Sequence, residues 1–158
     1  MNQFRYRFSI TVLLLLTGCV GVLTPSHHVP EAYSAVVAAA AKGDLPTLER
    51  SISADPALVT EKEWDGRTLL HDAVDNSQIG AATYLLDRGA DVNAVTIDGR
   101  TSLHMAAQRG DAAMITLLLG RGADIHAKDK KGWTPLDRAM KWDQPEAAAQ
   151  LRHAMQPR

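Results

Sequence analysis

Short clusters of apolar residues alternate with polar stretches and glycines through the second half of this chain. Leu69-Leu70 and Ala73-Val74 form one cluster and Tyr84-Leu85-Leu86 forms the next, a spacing that predicts two brief helices. Helices of about eight to ten residues are marginally stable alone in water. We therefore expect these helices to be stabilised by burying their apolar faces against further helices of the same kind.

The same pattern recurs at a fixed period. Segments that start at Asp65, Asp98 and Lys131 align with one another, and their starts are 33 residues apart. Each segment has a glycine where a tight turn favours a residue without a β-carbon, and a threonine two residues later that is placed to cap a helix. These residues are Gly66, Gly99 and Gly132, and Thr68, Thr101 and Thr134. Gly89 and Gly122 come just past the second helix, where a left-handed cap is expected.

The threonines begin three related tetrapeptides, which run from Thr68 to His71, from Thr101 to His104 and from Thr134 to Asp137. A Thr-Pro-Leu-His-like core at a period of 33 residues resembles the ankyrin repeat. The resemblance covers residues 32–158 and implies an all-α solenoid of about four stacked helix-turn-helix units with β-hairpin-like loops. The repeats are placed at approximately 32–64, 65–97, 98–130 and 131–158.

The end repeats depart from the pattern, as a solenoid requires where it meets solvent. Residues 35–41 and 48–52 supply the helices of a degenerate first repeat, and one extra residue falls in its loop at 53–56. In the last repeat Pro145 opens the second helix, and no Gly-Ala-Asp follows.

Single substitutions within the repeats also carry predictions. Ser77 replaces the glycine seen at Gly110, which predicts a strained or remodelled turn. His126 stands where Asn93 stands one repeat earlier. In the last repeat, Asp137 stands at the position that His71 and His104 occupy in the two repeats before it. We interpret His71 and His104 as structural residues that bond backbone between neighbouring repeats, since nothing near them in the sequence indicates a metal or catalytic set.

The resemblance implies that the chain binds another protein through its hairpin tips and the exposed face of each first helix. At the tips the positions are Trp64, Asp65, Arg67, Ile97, Asp98, Arg100, Lys130, Lys131 and Trp133; on the helices they are Asp75, Asn76, Gln108, Arg109, Lys141 and Trp142. All three tryptophans of the chain fall in this set, and Trp and Arg are enriched at interface hot spots. The alternative is that Trp64 and Trp133 support the hairpins and that Trp142 covers the C-terminal cap.

Charge is distributed unevenly along the repeats. Residues 61–75 hold five acids and two bases, whereas residues 128–142 hold five bases and two acids. Such a gradient orients a partner and speeds encounter, although ordinary solubilising surface is an equally open interpretation. The net charge of −1 gives no indication of nucleic acid as a partner.

The first residues of the chain predict where in the cell the protein is located. Arg5 and Arg7 precede an apolar run, the order of a secretory signal, and the run ends at Leu16-Thr17-Gly18-Cys19. This ending resembles the bacterial lipobox, which implies removal of residues 1–18 and acylation of Cys19, the one cysteine of the chain. A membrane-spanning helix is the alternative. The apolar stretch 8–23 is sixteen residues long, shorter than the roughly 20 that a span needs.

The residues that follow the cysteine refine this prediction. By the sorting pattern of Gram-negative lipoproteins, Val20 indicates the outer membrane, with the protein facing the periplasm. Residues 19–31 contain two prolines and are predicted to be a flexible tether. His27 and His28 lie in this tether, and we interpret them as solvated rather than as metal ligands.

These observations together favour a membrane-anchored protein-binding module of the bacterial cell envelope, acting as a monomer. An immunity or inhibitor lipoprotein that neutralises a toxin in the periplasm is one alternative, and chaperone-like support of a periplasmic enzyme is another. The sequence shows no activated nucleophile, metal-ligand cluster or phosphate-binding glycine loop. We therefore expect no enzyme activity, cofactor, metal, nucleic acid or small-molecule substrate. A purely structural lipoprotein is disfavoured because no long coiled-coil pattern is present.

Overall fold

Four pairs of antiparallel helices make up residues 31–156, the part of the chain that the computed structural model describes, with side chains described from Tyr33 onward. The helices are α1 (Glu31–Lys42), α2 (Leu45–Ala54), α3 (Leu69–Asp75), α4 (Ile79–Asp87), α5 (Ser102–Arg109), α6 (Ala112–Gly120), α7 (Pro135–Lys141) and α8 (Pro145–Ala154), and a 3-10 helix spans Pro56–Val59. No strand occurs within residues 31–156, so the predicted all-α solenoid is confirmed.

The turn and cap positions predicted from the repeat are occupied as expected. Thr68, Thr101 and Thr134 are the N-caps of α3, α5 and α7, and each forms a capping box with the residue three positions later. Glycines adopt the left-handed backbone conformation both at the hairpin turns and past the second helices. Local turn chemistry therefore determines where α3, α5 and α7 begin and where α4 and α6 end.

The core is a continuous apolar seam between two layers of helices. The inner layer holds α1, α3, α5 and α7, the outer layer holds α2, α4, α6 and α8, and each helix packs against the next in its own layer. Leu85, Leu118 and Leu151 occupy the same position in successive outer helices, and all three are fully buried. The inner helix α5 is buried from Ser102 to Ala107, because α3 and α7 flank it on both sides. Stacking thus stabilises helices that are too short to stand alone.

Two predicted boundaries at the first repeat are wrong. Glu31, the last residue of the predicted tether, is the first residue of α1. Within the predicted loop 53–56, Ser53 and Ala54 complete α2. The Asp55 carboxylate then accepts a hydrogen bond from the backbone N–H of Ala57 at 3.1 Å and so begins the 3-10 helix. The signal segment 1–18, Cys19 and the rest of the tether lie outside the described residues.

An asparagine joins the second repeat to the third. The Asn93 side chain accepts a hydrogen bond from the backbone N–H of Asp124 at 2.8 Å and donates one to the carbonyl of Gly122 at 3.2 Å. His126 holds the corresponding position one repeat later, where the last repeat supplies no Gly-Ala-Asp loop to bridge. The loss of asparagine at this position follows from the loss of the loop that it would contact.

The predicted strain at Ser77 takes a definite form. Ser77 has φ of 56°, the left-handed conformation that glycine adopts at the equivalent Gly110 with φ of 73°. A β-carbon at Gly110 would lie 2.1 Å from the Gln144 side chain. The residue that corresponds to Gln144 one repeat earlier is the shorter Asp111, whose carboxylate caps α6 by accepting from the Met114 N–H at 3.0 Å. Serine is therefore tolerated at this turn at the expense of backbone strain alone.

Ser77→Gly is expected to stabilise the protein by about 1 kcal/mol, because glycine enters the left-handed region without a steric penalty. Equilibrium denaturation with urea measures the change. The matched variant Gly110→Ser is expected to destabilise the protein by more than Ser77→Gly stabilises it, since it adds both strain and the contact with Gln144. A loss of stability in Ser77→Gly would contradict the assignment of strain to this residue.

Candidate interaction surface

The hairpin tips form one connected row along the array. The backbone N–H of Ile97 donates to the carbonyl of Asp65 at 2.7 Å, and that of Lys130 donates to the carbonyl of Asp98 at 2.9 Å. A β-carbon on Gly99 would lie 3.0 Å from the Lys130 nitrogen, so glycine also permits this close approach. We call the surface formed by these tips and the exposed sides of α3, α5 and α7 the inner face.

The N-terminal end of the inner face is acidic, and its arginine is already engaged. Arg67 donates to the Asp72 carboxylate at 2.7 Å and to that of Asp75 at 3.2 Å. Burial raises the pKa of Asp72 in spite of this pairing. Burial, together with Asp72 and Asp65, also raises the pKa of Glu63. Arg67 was predicted to contact a partner, but the structure places it in an internal ion-pair network.

The C-terminal end of the inner face is built around a buried arginine that was not among the predicted site residues. Arg138 donates two hydrogen bonds to the Asp129 carboxylate and one to Gln108 at 3.0 Å. Its guanidinium carbon lies 5.3 Å from the ring centroid of Trp133 and 5.2 Å from that of Trp142. The two indoles meet edge to face, with centroids 6.0 Å apart. Arg138 therefore positions both tryptophans, and Asp129 positions Arg138.

Arg100 lies between these two ends without a strong internal partner. It occupies the repeat position of Arg67, but Met105 stands where the second repeat has Asp72. The Arg100 Nε is buried and has no hydrogen-bond acceptor within the described residues. Its guanidinium lies 4.0 Å from the Asp98 carboxylate, which is too far for a hydrogen bond.

The three tryptophans differ in their surroundings. The interpretation as partner-contacting residues and the interpretation as packing residues therefore apply to different tryptophans. Trp64 is 83% exposed, and no aromatic or cation–π contact to it is found within residues 33–156. Trp142 is 40% exposed and Trp133 is partly buried, because each packs against the other and against Arg138. The packing alternative thus describes part of what Trp133 and Trp142 do, whereas Trp64 leaves its whole indole available to a partner.

The remaining predicted contact positions are mostly exposed. They are Ile97, Asp98, Arg109, Lys130, Lys131 and Lys141, together with Asn76, whereas Asp65, Asp75 and Gln108 are partly buried. Arg109 forms an ion pair with Asp75 at 3.5 Å, and Gln108 accepts from Arg138. The sequence signal that identifies Arg138 is its repeat position, which it shares with Asp72 and Met105 and where a charged residue is not part of the apolar pattern.

The structural interpretation of the histidines is confirmed for His104 and holds in part for His71. The Nδ1 of each ring lies within hydrogen-bond distance of its N-cap threonine, and His104 Nε2 lies 2.9 Å from the Trp133 carbonyl of the next repeat. His71 Nε2 makes no hydrogen bond of that geometry within residues 33–156, but the backbone of Arg100, at the repeat position of Trp133, lies close enough to oppose the lowering of the His71 pKa. Burial lowers the pKa of His71 to about 4 and also lowers that of His104. Both rings are therefore neutral at pH 7.

In the stretch from 31 to 156, no helix has the length and apolar character needed to cross a membrane. The side chains described there include no cluster of three or more histidine, cysteine or carboxylate groups arranged to hold a metal ion. What the inner face offers chemically is charge, hydrogen-bonding groups and exposed indole.

Comparison with known proteins identifies the repeat. A family model described as "Ankyrin repeats (many copies)" matches residues 85–139, and one described as "Ankyrin repeat" matches residues 65–97. Among curated proteins, the chain is similar to Palmitoyltransferase akr1 of Schizosaccharomyces pombe, with 42% identity over 57 residues. The match covers 36% of this chain and 9% of that relative, so the chain spans a small fraction of the length of the protein it resembles.

Proposed function

This chain is an ankyrin-repeat protein and hence a protein–protein interaction module, and we propose that it binds a partner through its inner face while anchored to the bacterial outer membrane by lipid on Cys19. In this proposal the repeats face the periplasm and act as a monomer. The tether gives the inner face access to partners near the membrane, since twelve extended residues reach at most about 40 Å.

The observation that carries the binding proposal is the exposed apolar surface on the connected row of tips. Trp64 is 83% exposed and Ile97 is 52% exposed, and both lie on tips held in place by backbone hydrogen bonds. Large apolar side chains on a rigid, water-exposed surface are typical of interaction sites. Indole contributes large contact area with few rotatable bonds, which makes Trp64 a suitable anchor for a partner.

The anchoring proposal is supported by the sequence of the first nineteen residues. A basic start, an apolar run and Leu16-Thr17-Gly18-Cys19 stand in the order found in bacterial lipoproteins. Each buried methylene of an acyl chain contributes about 0.8 kcal/mol, and one chain alone gives weak attachment. Three acyl chains, as bacterial lipoproteins carry, would hold the protein stably. Val20 supports sorting to the outer membrane.

We also propose that the chain is not an enzyme. Its likeness to Palmitoyltransferase akr1 spans 9% of that protein, so the activity in that protein's name is not carried over. The repeats that match the family models supply a recognition surface, and the partner supplies any chemistry. A toxin or a resident periplasmic enzyme as partner would distinguish the immunity role from the support role.

One experiment tests both parts of the proposal. The full chain with p-benzoylphenylalanine at position 97 is expressed in the cells that naturally produce it, irradiated, fractionated and analysed by mass spectrometry. We expect one predominant partner adduct in the outer-membrane fraction and a mature amino terminus at acylated Cys19. Cys19→Ser is expected to remove the protein from the membrane fraction. Unmodified Cys19 in the native protein would overturn the anchoring proposal.

Trp64→Ala is the matched test of the binding face. Because Trp64 is 83% exposed, its loss is expected to lower the adduct yield at least tenfold and leave Tm within about 1 °C. Glu49→Ala, an exposed substitution on α2 away from the inner face, is expected to change neither quantity. An adduct yield that is insensitive to Trp64→Ala would contradict the assignment of this face.

A further inference from the structure

We infer that the partner presents an acidic segment to the C-terminal half of the inner face, with one carboxylate paired to Arg100 and others paired to Lys130, Lys131 and Lys141. The inference rests on the proposed function, because it assumes that the inner face is the surface in use. It adds the chemistry of the partner and the part of the face that the partner occupies.

The main support for this inference is that Arg100 lacks an acceptor among the described residues. Its Nε is buried without an acceptor, whereas Arg67 at the same repeat position donates to two carboxylates. Met105 has removed the equivalent internal acceptor, so the guanidinium remains partly desolvated and poorly compensated. The Arg100 side chain is 27% exposed, so a carboxylate from outside the chain would pair with the terminal nitrogens of the guanidinium, while the buried Nε stays out of its reach. With Met105 in place of an aspartate, Arg100 is available to pair with a carboxylate of the partner, whereas Arg67 pairs within the chain.

Three lysines beyond Arg100 also lack a carboxylate partner in the described part of the chain. Lys130, Lys131 and Lys141 are exposed, and none lies within ion-pair distance of a carboxylate among the described side chains. Asp129 binds Arg138 and Asp137 accepts from the Thr134 N–H at 2.8 Å, whereas the nearby Asp98 and Asp143 form no ion pair with any of the three lysines. Lys131 lies 5.4 Å from the Trp133 ring centroid, but none of the three lysines has a carboxylate partner among the described side chains, so an acidic partner complements their charge.

The acidic N-terminal end of the inner face restricts where the acidic segment of the partner binds. This end carries the acidic residues Glu61, Glu63 and Asp65. Burial and the neighbouring carboxylates raise the pKa of Glu63, which shows that added negative charge is unfavourable here. An acidic segment is repelled from this end and attracted to the other, so it lies between Arg100 and Lys141. The Trp133–Trp142 pair offers an apolar platform within that stretch.

The experiment uses a zero-length carbodiimide crosslinker, which joins a lysine amine to a carboxylate only where the two are in direct contact. The full chain in its native membranes is crosslinked and digested, and the joined peptides are sequenced. We expect adducts in which Lys130, Lys131 or Lys141 is joined to Asp or Glu of the partner. The exposed Lys42 and Lys62 at the acidic end serve as internal controls and should give no such adducts.

The outcomes separate the inference from the proposal on which it rests. If the photo-crosslinker at position 97 captures a partner but the carbodiimide joins none of the three lysines to it, the acidic segment is wrong and the binding face stands. Adducts between partner lysines and Glu61 or Asp65 in place of the expected ones would likewise overturn the inference. If neither reagent captures a partner, the proposed function itself fails.

Arg100→Met gives an independent test, with Arg67→Met as its counterpart. Removing the poorly compensated guanidinium of Arg100 is expected to lower carbodiimide adduct yield at least tenfold while Tm stays constant or rises. Arg67→Met is expected to lower Tm, because the buried Asp72 carboxylate loses both of its hydrogen bonds from the guanidinium. A fall in Tm for Arg100→Met as large as that for Arg67→Met would show that Arg100 is a structural residue and overturn its assignment.

Discussion

Asp129→Ala is expected to destabilise the protein by about 3–5 kcal/mol, the effect of removing one partner from a buried ion pair. The Asp129 carboxylate accepts two hydrogen bonds from Arg138 and one each from the backbone N–H groups of Lys131 and Trp133. All four donors lose their acceptor together, and the Arg138 guanidinium is left as an uncompensated charge in a buried position. Since small domains are stable by about 5–15 kcal/mol, this is a large fraction of the total.

Urea denaturation followed by circular dichroism measures the loss. Tryptophan fluorescence adds a local signal, because Trp133 and Trp142 report on the Arg138 network whereas Trp64 is already exposed. We expect the environment of the two packed indoles to change in Asp129→Ala before denaturant is added.

The control is Asp124→Ala. Asp124 is exposed, and its carboxylate accepts one hydrogen bond from the backbone N–H of His126 at 2.9 Å, so the loss is expected to be about 1 kcal/mol. Combining Asp129→Ala with Arg138→Met is expected to recover part of the stability, since the buried charge is then gone. Equal losses in Asp129→Ala and Asp124→Ala would contradict the central role of the buried pair.

Acidification is expected to destabilise the protein well before most carboxylates titrate. Burial holds the pKa of His71 at about 4 in the folded state, against an ordinary value of 6.5 in the unfolded chain. The contribution of this neutral ring is fully present above pH 6.5 and is lost as the pH falls toward 4, because the unfolded state then binds a proton that the folded state excludes. At 1.36 kcal/mol per pKa unit, the loss for His71 is about 3 kcal/mol.

His104 adds to the same trend, since burial also lowers its pKa. Urea midpoints measured between pH 7.5 and 4.5 are therefore expected to stay level down to pH 6.5 and to fall below it. The double variant His71→Gln and His104→Gln removes both titrating groups and keeps a side chain suited to the capping box. It is expected to flatten this dependence, whereas His126→Gln, at an exposed loop position, should retain it. Similar slopes in the native protein and the double variant would contradict the role of the buried rings.

The sequence predicted the elements of the fold well because the signals for turns and caps are local. A glycine two positions before a threonine determines the hairpin turn and the helix start without reference to the rest of the chain, and Thr68 and Thr101 occupy their predicted positions. The boundaries at Glu31 and at residues 53–56 were wrong because helix ends depend on capping bonds such as that of Asp55, which the repeat pattern does not encode.

The candidate site was predicted as a set of positions but not as a set of contacts. Arg67 and Gln108 belong to the predicted set, yet both are engaged in internal bonds. The link between Arg138 and Gln108 joins side chains 30 residues apart, so it depends on how adjacent repeats stack. Comparing the residues at one repeat position, Asp72, Met105 and Arg138, shows where the charge pattern changes along the array, and this comparison explains why Arg100 lacks an internal acceptor.

The bridge made by Asn93 also bears on how an array of this kind grows by gene duplication. A duplicated copy of the second repeat, inserted beside the original, would bring its own asparagine and meet a Gly-Ala-Asp loop on its far side, so the junction would be chemically complete. A unit inserted between the third and fourth repeats would meet His126, which lacks the amide that the bridge needs. The array can therefore lengthen more readily beside the second repeat than between the third and the fourth.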